Sequence, residues 1–79
     1  MAMEQDKEKI RRFLTTLTGF FDLEDGMDLI NNRIIDSIHA LQLVSFVEKE
    51  FGIDVSGEEL DRDNFYSVNA IANFIQRKR

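Results

Sequence analysis

The chain lacks cysteine entirely and has a single histidine. The first absence excludes disulfides, thiolate metal sites and a cysteine nucleophile, and the second excludes a metal site built from several histidines. The longest apolar runs are too short to cross a bilayer, so we expect no membrane insertion. No basic-then-apolar signal precedes the first helical pattern, which makes the cytoplasm the expected location.

Proline is also absent, and no repeat or linker divides the 79 residues. We therefore interpret residues 1–79 as one domain, either a free-standing protein or an excised module. Hydrophobic residues make up 43% of the chain, which is well above what disordered chains contain. We expect a folded monomer with a modest core.

The net charge is −5, and the acidic residues are concentrated in the middle of the chain. Nucleic acids and anionic membranes require a basic surface, so this balance argues against both as partners. An acidic middle suits a protein partner with a basic patch, although simple solubility explains it equally well. The basic end, Arg77 to Arg79, is expected of cations that follow a helix C-terminus.

Apolar residues at helical spacing predict a first helix over about 4–18, with Gly19 ending it. Residues 20–35 follow neither the helical nor the strand period, so we predict a long loop whose apolar residues fold back on the core. Part of this loop, "DLEDG", is similar to a calcium-binding loop. The spacing fails, because Phe21 and Leu23 would occupy ligand positions.

A second helix is predicted to begin after Asp36, whose carboxylate can cap it, and to end at Gly52. Its inward face is a set of apolar residues at helical spacing: Ala40, Leu43, Val44, Val47 and Phe51. The remaining residues face outward or lie on the flank: Ile38, Leu41, Gln42, Ser45, Glu48 and Lys49. Ile38 and Leu41 either form a docking patch for a partner or are covered by the preceding loop.

Ser56 and Glu59 match the S-x-x-E capping box, so we predict that a short third helix begins there. Phe65 and Tyr66 are then expected in the turn that follows it. Ser67 can cap a last helix, which shows apolar residues at helical spacing. With no convincing strand, these elements predict an all-α bundle of three main helices and one short one.

Ser37 raises the functional question, since it follows the predicted cap directly. A catalytic serine needs an adjacent base, but the only histidine, His39, is two residues away and does not face Ser37 on a helix. No glycine-rich turn surrounds the serine either. What remains is an exposed hydroxyl at a helix N-terminus, where an attached or bound phosphate is favoured. The residues alone do not choose between modification and a simple cap.

The segment "DSIHALQLVSFVEKEFGIDV" from Asp36 to Val55 resembles the second helix of acyl carrier proteins. The family signature there is Asp-Ser-(Leu/Ile), an apolar-patterned helix, Glu-x-x-Phe and Ile-x-(Val/Ile). "SVNAIANFI", from Ser67 to Ile75, is similar to the last helix of the family. With the leading helix and the long loop, the resemblance covers nearly the whole chain and implies a four-helix acyl-carrier bundle.

The resemblance implies that Ser37 bears a 4′-phosphopantetheine arm donated by coenzyme A, whose thiol holds acyl or aminoacyl groups as thioesters. Asp36 would help a phosphopantetheinyl transferase hold magnesium and coenzyme A. The partner enzymes would read an outer surface of the second helix formed by Ile38, Leu41, Gln42, Ser45 and Glu48. The domain would shuttle a tethered intermediate between an adenylating ligase and downstream acyl- or aminoacyl-transferring enzymes, and would catalyse nothing.

The branch of the family is indicated by departures from fatty-acid carriers. Ile34 and Ile35 precede Asp36 where those carriers usually have glycine, and His39 stands where an acid is often found. "IIDSI" together with "DNFYSVNAI" looks more like discrete aminoacyl carriers, including D-alanyl and stand-alone peptidyl types. The alternative is an unmodified helical interaction domain in which Asp36 and Ser37 act only as a helix cap.

Overall fold

The computed structural model describes residues 2–79 and contains four helices. They are α1 (Ala2–Thr18), α2 (Ser37–Phe51), α3 (Arg62–Phe65) and α4 (Val68–Lys78). No strand occurs over this range, which confirms the predicted all-α bundle with one short helix. Among the described residues, no helix is both long enough and apolar enough to cross a membrane.

Helices α1 and α2 are each followed by a glycine, and both end where the sequence predicts. Gly19 follows α1 with φ of +80°, and its N–H donates to the Thr15 carbonyl over 2.8 Å. Gly52 follows α2 with φ of +65°. This left-handed backbone is easily adopted only by glycine, so both residues terminate their helices locally.

The core lies where α1, α2 and α4 meet. α1 contributes Ile10 and Leu14, and α2 contributes Leu43 and Val47, all four with no exposed surface. α4 contributes the largest share: Val68, Ile71, Ala72, Phe74 and Ile75. These positions follow the helical period in the sequence. Of the predicted inward face of α2, Leu43 and Val47 are fully buried, and Ala40, Val44 and Phe51 are partly buried.

Most of the long loop of residues 20–35 folds back on this core, as predicted, but Phe20 and Phe21 at its start are 49% and 77% exposed. Leu23, Leu29, Ile34 and Ile35 are each at most 9% exposed. Two backbone hydrogen bonds fix the loop to the other end of the chain: the Leu29 N–H donates to the Tyr66 carbonyl over 2.7 Å, and the Asn69 N–H donates to the Asp25 carbonyl over 2.9 Å. The second bond satisfies a donor in the first turn of α4 that has no partner within its own helix.

The third helix begins later than predicted. The capping box is present, since the Ser56 N–H donates to Glu59 Oε1 and the Glu59 N–H donates to Ser56 Oγ, but it closes only a turn. The Asp61 N–H then bonds back to the Glu59 carbonyl, which interrupts the helical ladder. Asp61 is extended and caps α3, which ends at Phe65. The prediction that Phe65 lies in the following turn was therefore wrong, because Phe65 is buried within α3.

A buried acid joins the two ends of the described chain. The Asp6 side chain is 5% exposed, and both its oxygens accept hydrogen bonds from the Arg79 guanidinium, at 3.0 and 3.1 Å. Asp6 lies on α1 and Arg79 follows α4. Bidentate arginine–carboxylate pairs are among the stronger polar contacts in proteins, so the pair of Asp6 and Arg79 holds α1 against α4.

Candidate functional site

The junction of the loop with α2 has the geometry that the sequence predicts. Asp36 is extended, with φ of −114° and ψ of −168°, and its Oδ1 accepts a hydrogen bond from the His39 N–H over 2.9 Å. Ser37 is the first residue of α2 and is exposed. Because Asp36 already caps the helix, the fold does not require the Ser37 hydroxyl.

The Asp36 carboxyl is held in its charged form. The hydrogen bond from the His39 N–H is the main cause that lowers the pKa of Asp36. The Asp36 side chain is 68% exposed, and the cap uses only Oδ1. The other carboxylate oxygen, Oδ2, takes no part in the cap.

His39, the only histidine, is half-buried. Its Nδ1 lies 3.6 Å from Asp36 Oδ1, is itself buried, and has no hydrogen-bond partner among the residues described. The histidine therefore packs beside the cap and is not aligned as a base for Ser37. Within residues 2–79, no group of three or more acids or histidines could hold a metal ion.

The predicted partner surface of α2 divides into two parts. Ile38 and Leu41 are 67% and 60% exposed, so the preceding loop does not cover them. Gln42 and Ser45 are exposed beside them. Glu48 differs, because it is half-buried and its Oε2 accepts a hydrogen bond from the Val55 N–H over 2.9 Å. Glu48 thus fastens the segment after α2.

A groove of about 420 Å³ opens beside Ser37, between the start of α2 and the residues around α3. Apolar side chains dominate its lining. Its lining includes Ile35, Ser37, Leu41, Leu60, Asp61 and Arg62. Sequence reasoning missed the contribution of the α3 region, because its residues approach Ser37 only in the folded chain.

Arg62 stands at the start of α3 and pairs with Asp28 in the long loop. The Asn31 N–H is the largest cause that lowers the pKa of Asp28, and the Arg62 guanidinium lowers it further. The guanidinium also lies 5.6 Å from the centre of the Tyr66 ring. These contacts fix the arginine at the rim of the groove while leaving its side chain 46% exposed.

We expect the thermal midpoint to stay level near neutral pH and to fall as the pH drops through 4.5 and 3.8, the ordinary pKa values of glutamate and aspartate here. Asp28, Asp36 and Glu59 each have a lowered pKa in the folded state. Their stabilising effect is therefore complete above the unfolded pKa and is lost as protons bind below it. Circular dichroism melts from pH 7 to pH 3 measure this.

Asp28→Asn provides the control for that pH series, since asparagine cannot take up the proton. The decline below pH 4.5 should be shallower in this variant than in the wild type. Equal slopes for the two proteins would contradict the assignment of Asp28.

Comparison with known proteins identifies the family. No family model matches the chain. The chain is 32% identical over 75 residues to the D-alanyl carrier protein of Lactococcus lactis subsp. lactis, covering 92% of this chain and 95% of the relative. It is 32% identical to the D-alanyl carrier protein of Lacticaseibacillus rhamnosus over 90% of each chain. The D-alanyl carrier protein of Lactobacillus acidophilus is 33% identical over 82% of this chain and 84% of its own length.

These relatives share nearly their full length with the chain and are all carriers rather than enzymes. The unmodified interaction domain considered as the alternative is not favoured by any of them. The four helices and the exposed serine after an aspartate cap agree with that likeness. The chain therefore belongs to the phosphopantetheine-binding carrier protein family, in the branch of the D-alanyl carrier proteins.

Proposed function

We propose that the protein carries D-alanine on a 4′-phosphopantetheine arm attached to Ser37 Oγ and delivers it between enzymes. The observation that carries the proposal is the exposed Ser37, placed directly after the Asp36 cap in a relative of D-alanyl carrier proteins. When bound, the arm supplies the thiol, absent from the chain itself, that holds the aminoacyl group as a thioester.

The residues around Ser37 fit such a group. The hydroxyl is free of any capping duty, and the groove beside it is mostly apolar with one arginine on its rim. The first turn of α2 also presents backbone N–H groups and the positive end of the helix dipole, which favour a phosphodiester. An attached arm would thus need no rearrangement of the core.

Attachment would replace a phosphoanhydride bond of coenzyme A by a phosphate ester bond to Ser37 Oγ. The Ser37 oxygen attacks the phosphorus of coenzyme A that bears pantetheine, and the bond from that phosphorus to the adenosine bisphosphate breaks. The serine proton passes to a base of the transferase. Asp36, whose lowered pKa keeps it anionic, would bind the magnesium ion that accompanies coenzyme A.

The partners follow from the chemistry of loading. An adenylating ligase would activate D-alanine and transfer it to the thiol, and a downstream transferase would remove it. Ile38 and Leu41, with Gln42 and Ser45 beside them, form an exposed apolar patch with a polar rim next to the attachment point, which suits docking of these enzymes. Because coenzyme A and ATP are used, we place the protein in the cytoplasm.

Loading of Ser37 is tested by intact mass spectrometry. The purified apo protein is incubated with coenzyme A, magnesium and a broad-specificity phosphopantetheinyl transferase. We expect the wild type to gain one phosphopantetheinyl group and Ser37→Ala to gain none, because the hydroxyl is the nucleophile. The loaded protein, given ATP and a D-alanine-activating ligase, should then gain one alanyl group.

Ser37→Ala is a clean control for loading, since Asp36 still caps α2 and alanine is a good helix former. Its melting temperature should match that of the wild type. If the wild type stays unloaded while a reference carrier is modified, the result would contradict the proposal and favour the interpretation as an unmodified interaction domain. If the protein is loaded with D-alanine no faster than with L-alanine or a fatty acid, the assignment of D-alanine as the cargo would be contradicted, and the carrier role would stand.

A further inference from the structure

We propose that the groove between α1 and α2 binds an acidic, amphipathic segment of a partner protein. In this arrangement an apolar side chain of the segment packs on Phe13 and Phe46, and its carboxylates face Lys49 and Lys9. The inference goes beyond the proposed function, because Ser37 does not line this groove. A segment bound there need not cover the oxygen to which the arm is attached.

The shape of the groove is the first support. It has a volume of about 520 Å³, and four large apolar side chains form its walls. Phe13 and Leu17 come from α1, and Leu41 and Phe46 come from α2. The rings of Phe13 and Phe46 are stacked with their centres 4.2 Å apart, and both are only half-buried. The folded chain thus leaves an apolar surface here, within the size range of ligand-binding pockets.

The charge around the stacked rings is the second support. Lys49 lies at the rim of the groove, and Lys9 and Arg12 line an adjoining hollow to which the same two rings contribute. Among the described residues, Glu50 is the one acid in either lining. A chain whose net charge is −5 therefore presents a local excess of positive charge on this side. Carboxylates of a partner are attracted to such a surface.

The two lysines are available for these carboxylates. Within residues 2–79, neither Lys9 nor Lys49 forms an ion pair, whereas Arg12 is paired with Glu8 at 2.7 Å. The Lys9 ammonium lies 5.8 Å from the centre of the Phe51 ring, a contact that uses none of its hydrogen-bond donors on a carboxylate. Both ammonium groups thus keep their donors for a partner.

The charge of the whole chain favours a protein segment over a lipid surface. An anionic membrane extends beyond the groove and would face the acidic remainder of the chain. A short segment lying between α1 and α2 responds mainly to charges within about 8–10 Å, the screening length near physiological ionic strength. A second copy of this chain is disfavoured, because two molecules of charge −5 repel each other.

The test measures the binding of two synthetic helical peptides to the protein without its arm. One peptide has leucine on one face and glutamate on the other, and the second has lysine in place of every glutamate. Amide signals in two-dimensional NMR titrations locate the binding site and give the Kd. We expect the glutamate peptide to shift the signals of Phe13, Leu17 and Phe46, and the lysine peptide to leave them unchanged.

Charge reversal tests the two lysines. Lys49→Glu should weaken binding of the glutamate peptide by about ten-fold, because an attraction becomes a repulsion. Lys9→Glu, on the other helix, should act in the same direction and serves if Lys49→Glu folds poorly. Arg33→Glu is the matched control, since it changes the net charge equally at an exposed loop residue that lines neither the groove nor the hollow. Its Kd should equal that of the wild type.

The remaining outcomes overturn the proposal in different ways. If vesicles of phosphatidylglycerol shift the Phe13 and Phe46 signals, the groove belongs to a membrane surface instead. Failure of the glutamate peptide to bind, or equal binding of the two peptides, would contradict the acidic partner. Binding that neither lysine variant weakens would contradict the role of the lysines. None of these results depends on loading of Ser37, so the proposed function is tested separately by intact mass.

Discussion

Replacing Leu43 by alanine is expected to lower the free energy of unfolding by about 2–5 kcal/mol. Leu43 lies on the inward face of α2 and has no exposed surface, so truncation removes packing contacts and leaves a cavity in the core. A domain of this size has little stability in reserve, so such a loss is a large part of the total. Urea unfolding followed by circular dichroism measures it.

Leu41→Ala is the matched control, because it makes the same change two residues earlier on the same helix. Leu41 is 60% exposed, and we expect its truncation to change the free energy of unfolding by no more than roughly 0.5 kcal/mol. Ser37→Ala should be equally mild. Similar losses for Leu41→Ala and Leu43→Ala would mean that the inward and outward faces of α2 are assigned wrongly.

Arg79→Ala is expected to lower the free energy of unfolding by about 1–3 kcal/mol. The variant leaves the Asp6 carboxylate, 5% exposed, without the guanidinium that donates to both of its oxygens. A buried charge without a partner is unfavourable, and the contact between α1 and α4 is weakened as well. Thermal and urea unfolding at pH 7 measure the effect.

The control for Arg79 is Arg77→Ala, which removes the same side chain two residues earlier. Arg77 donates to the Asn64 side chain in an exposed contact, so its loss should matter little. Asp6→Ala combined with Arg79→Ala should restore part of the stability, because no unpaired charge then remains. If the double variant loses the sum of both single effects, the two residues do not act as a pair.

The helical spacing of apolar residues and the cap residues at the helix ends were sufficient to predict the three main helices. The spacing of Ile10 and Leu14, and of Val68 and Ile71, directly gives the faces that pack in the core. Asp36 and Ser67 each accept a hydrogen bond from an N–H in the first helical turn, as their residue types indicate. These features depend on residues that are close together in the chain, so they can be predicted from the sequence alone.

Features that depend on competition between neighbours were not predicted. Ser56 with Glu59 and Asp61 are both good cap signals within a few residues of each other, and only the fold shows that the second begins α3. A helix of four residues is too short to show a period. The burial of Asp6 could not be predicted either, because its partner Arg79 is at the other end of the chain.

The candidate site divides in the same way. The aspartate cap and the exposed serine were predicted, since both depend on residues next to each other in sequence. The groove was not, because Leu60 and Arg62 come to line it together with Ser37 only in the folded chain. The likeness to aminoacyl carriers, and to D-alanyl carriers among them, was read from the sequence and is confirmed by the relatives.

The attachment of the long loop has a consequence for how often the protein can change partners. Leu29 and Asp25 fix the loop to the α3–α4 region through backbone hydrogen bonds, so we expect the surface beside Ser37 to be formed before a partner binds. A preformed surface loses little conformational entropy on docking, so weak complexes can form and dissociate quickly. Amide exchange of the Leu29 N–H should accordingly be as slow as that of the helices. Such a carrier is suited to forming many short-lived complexes with its partners rather than a few long-lived ones.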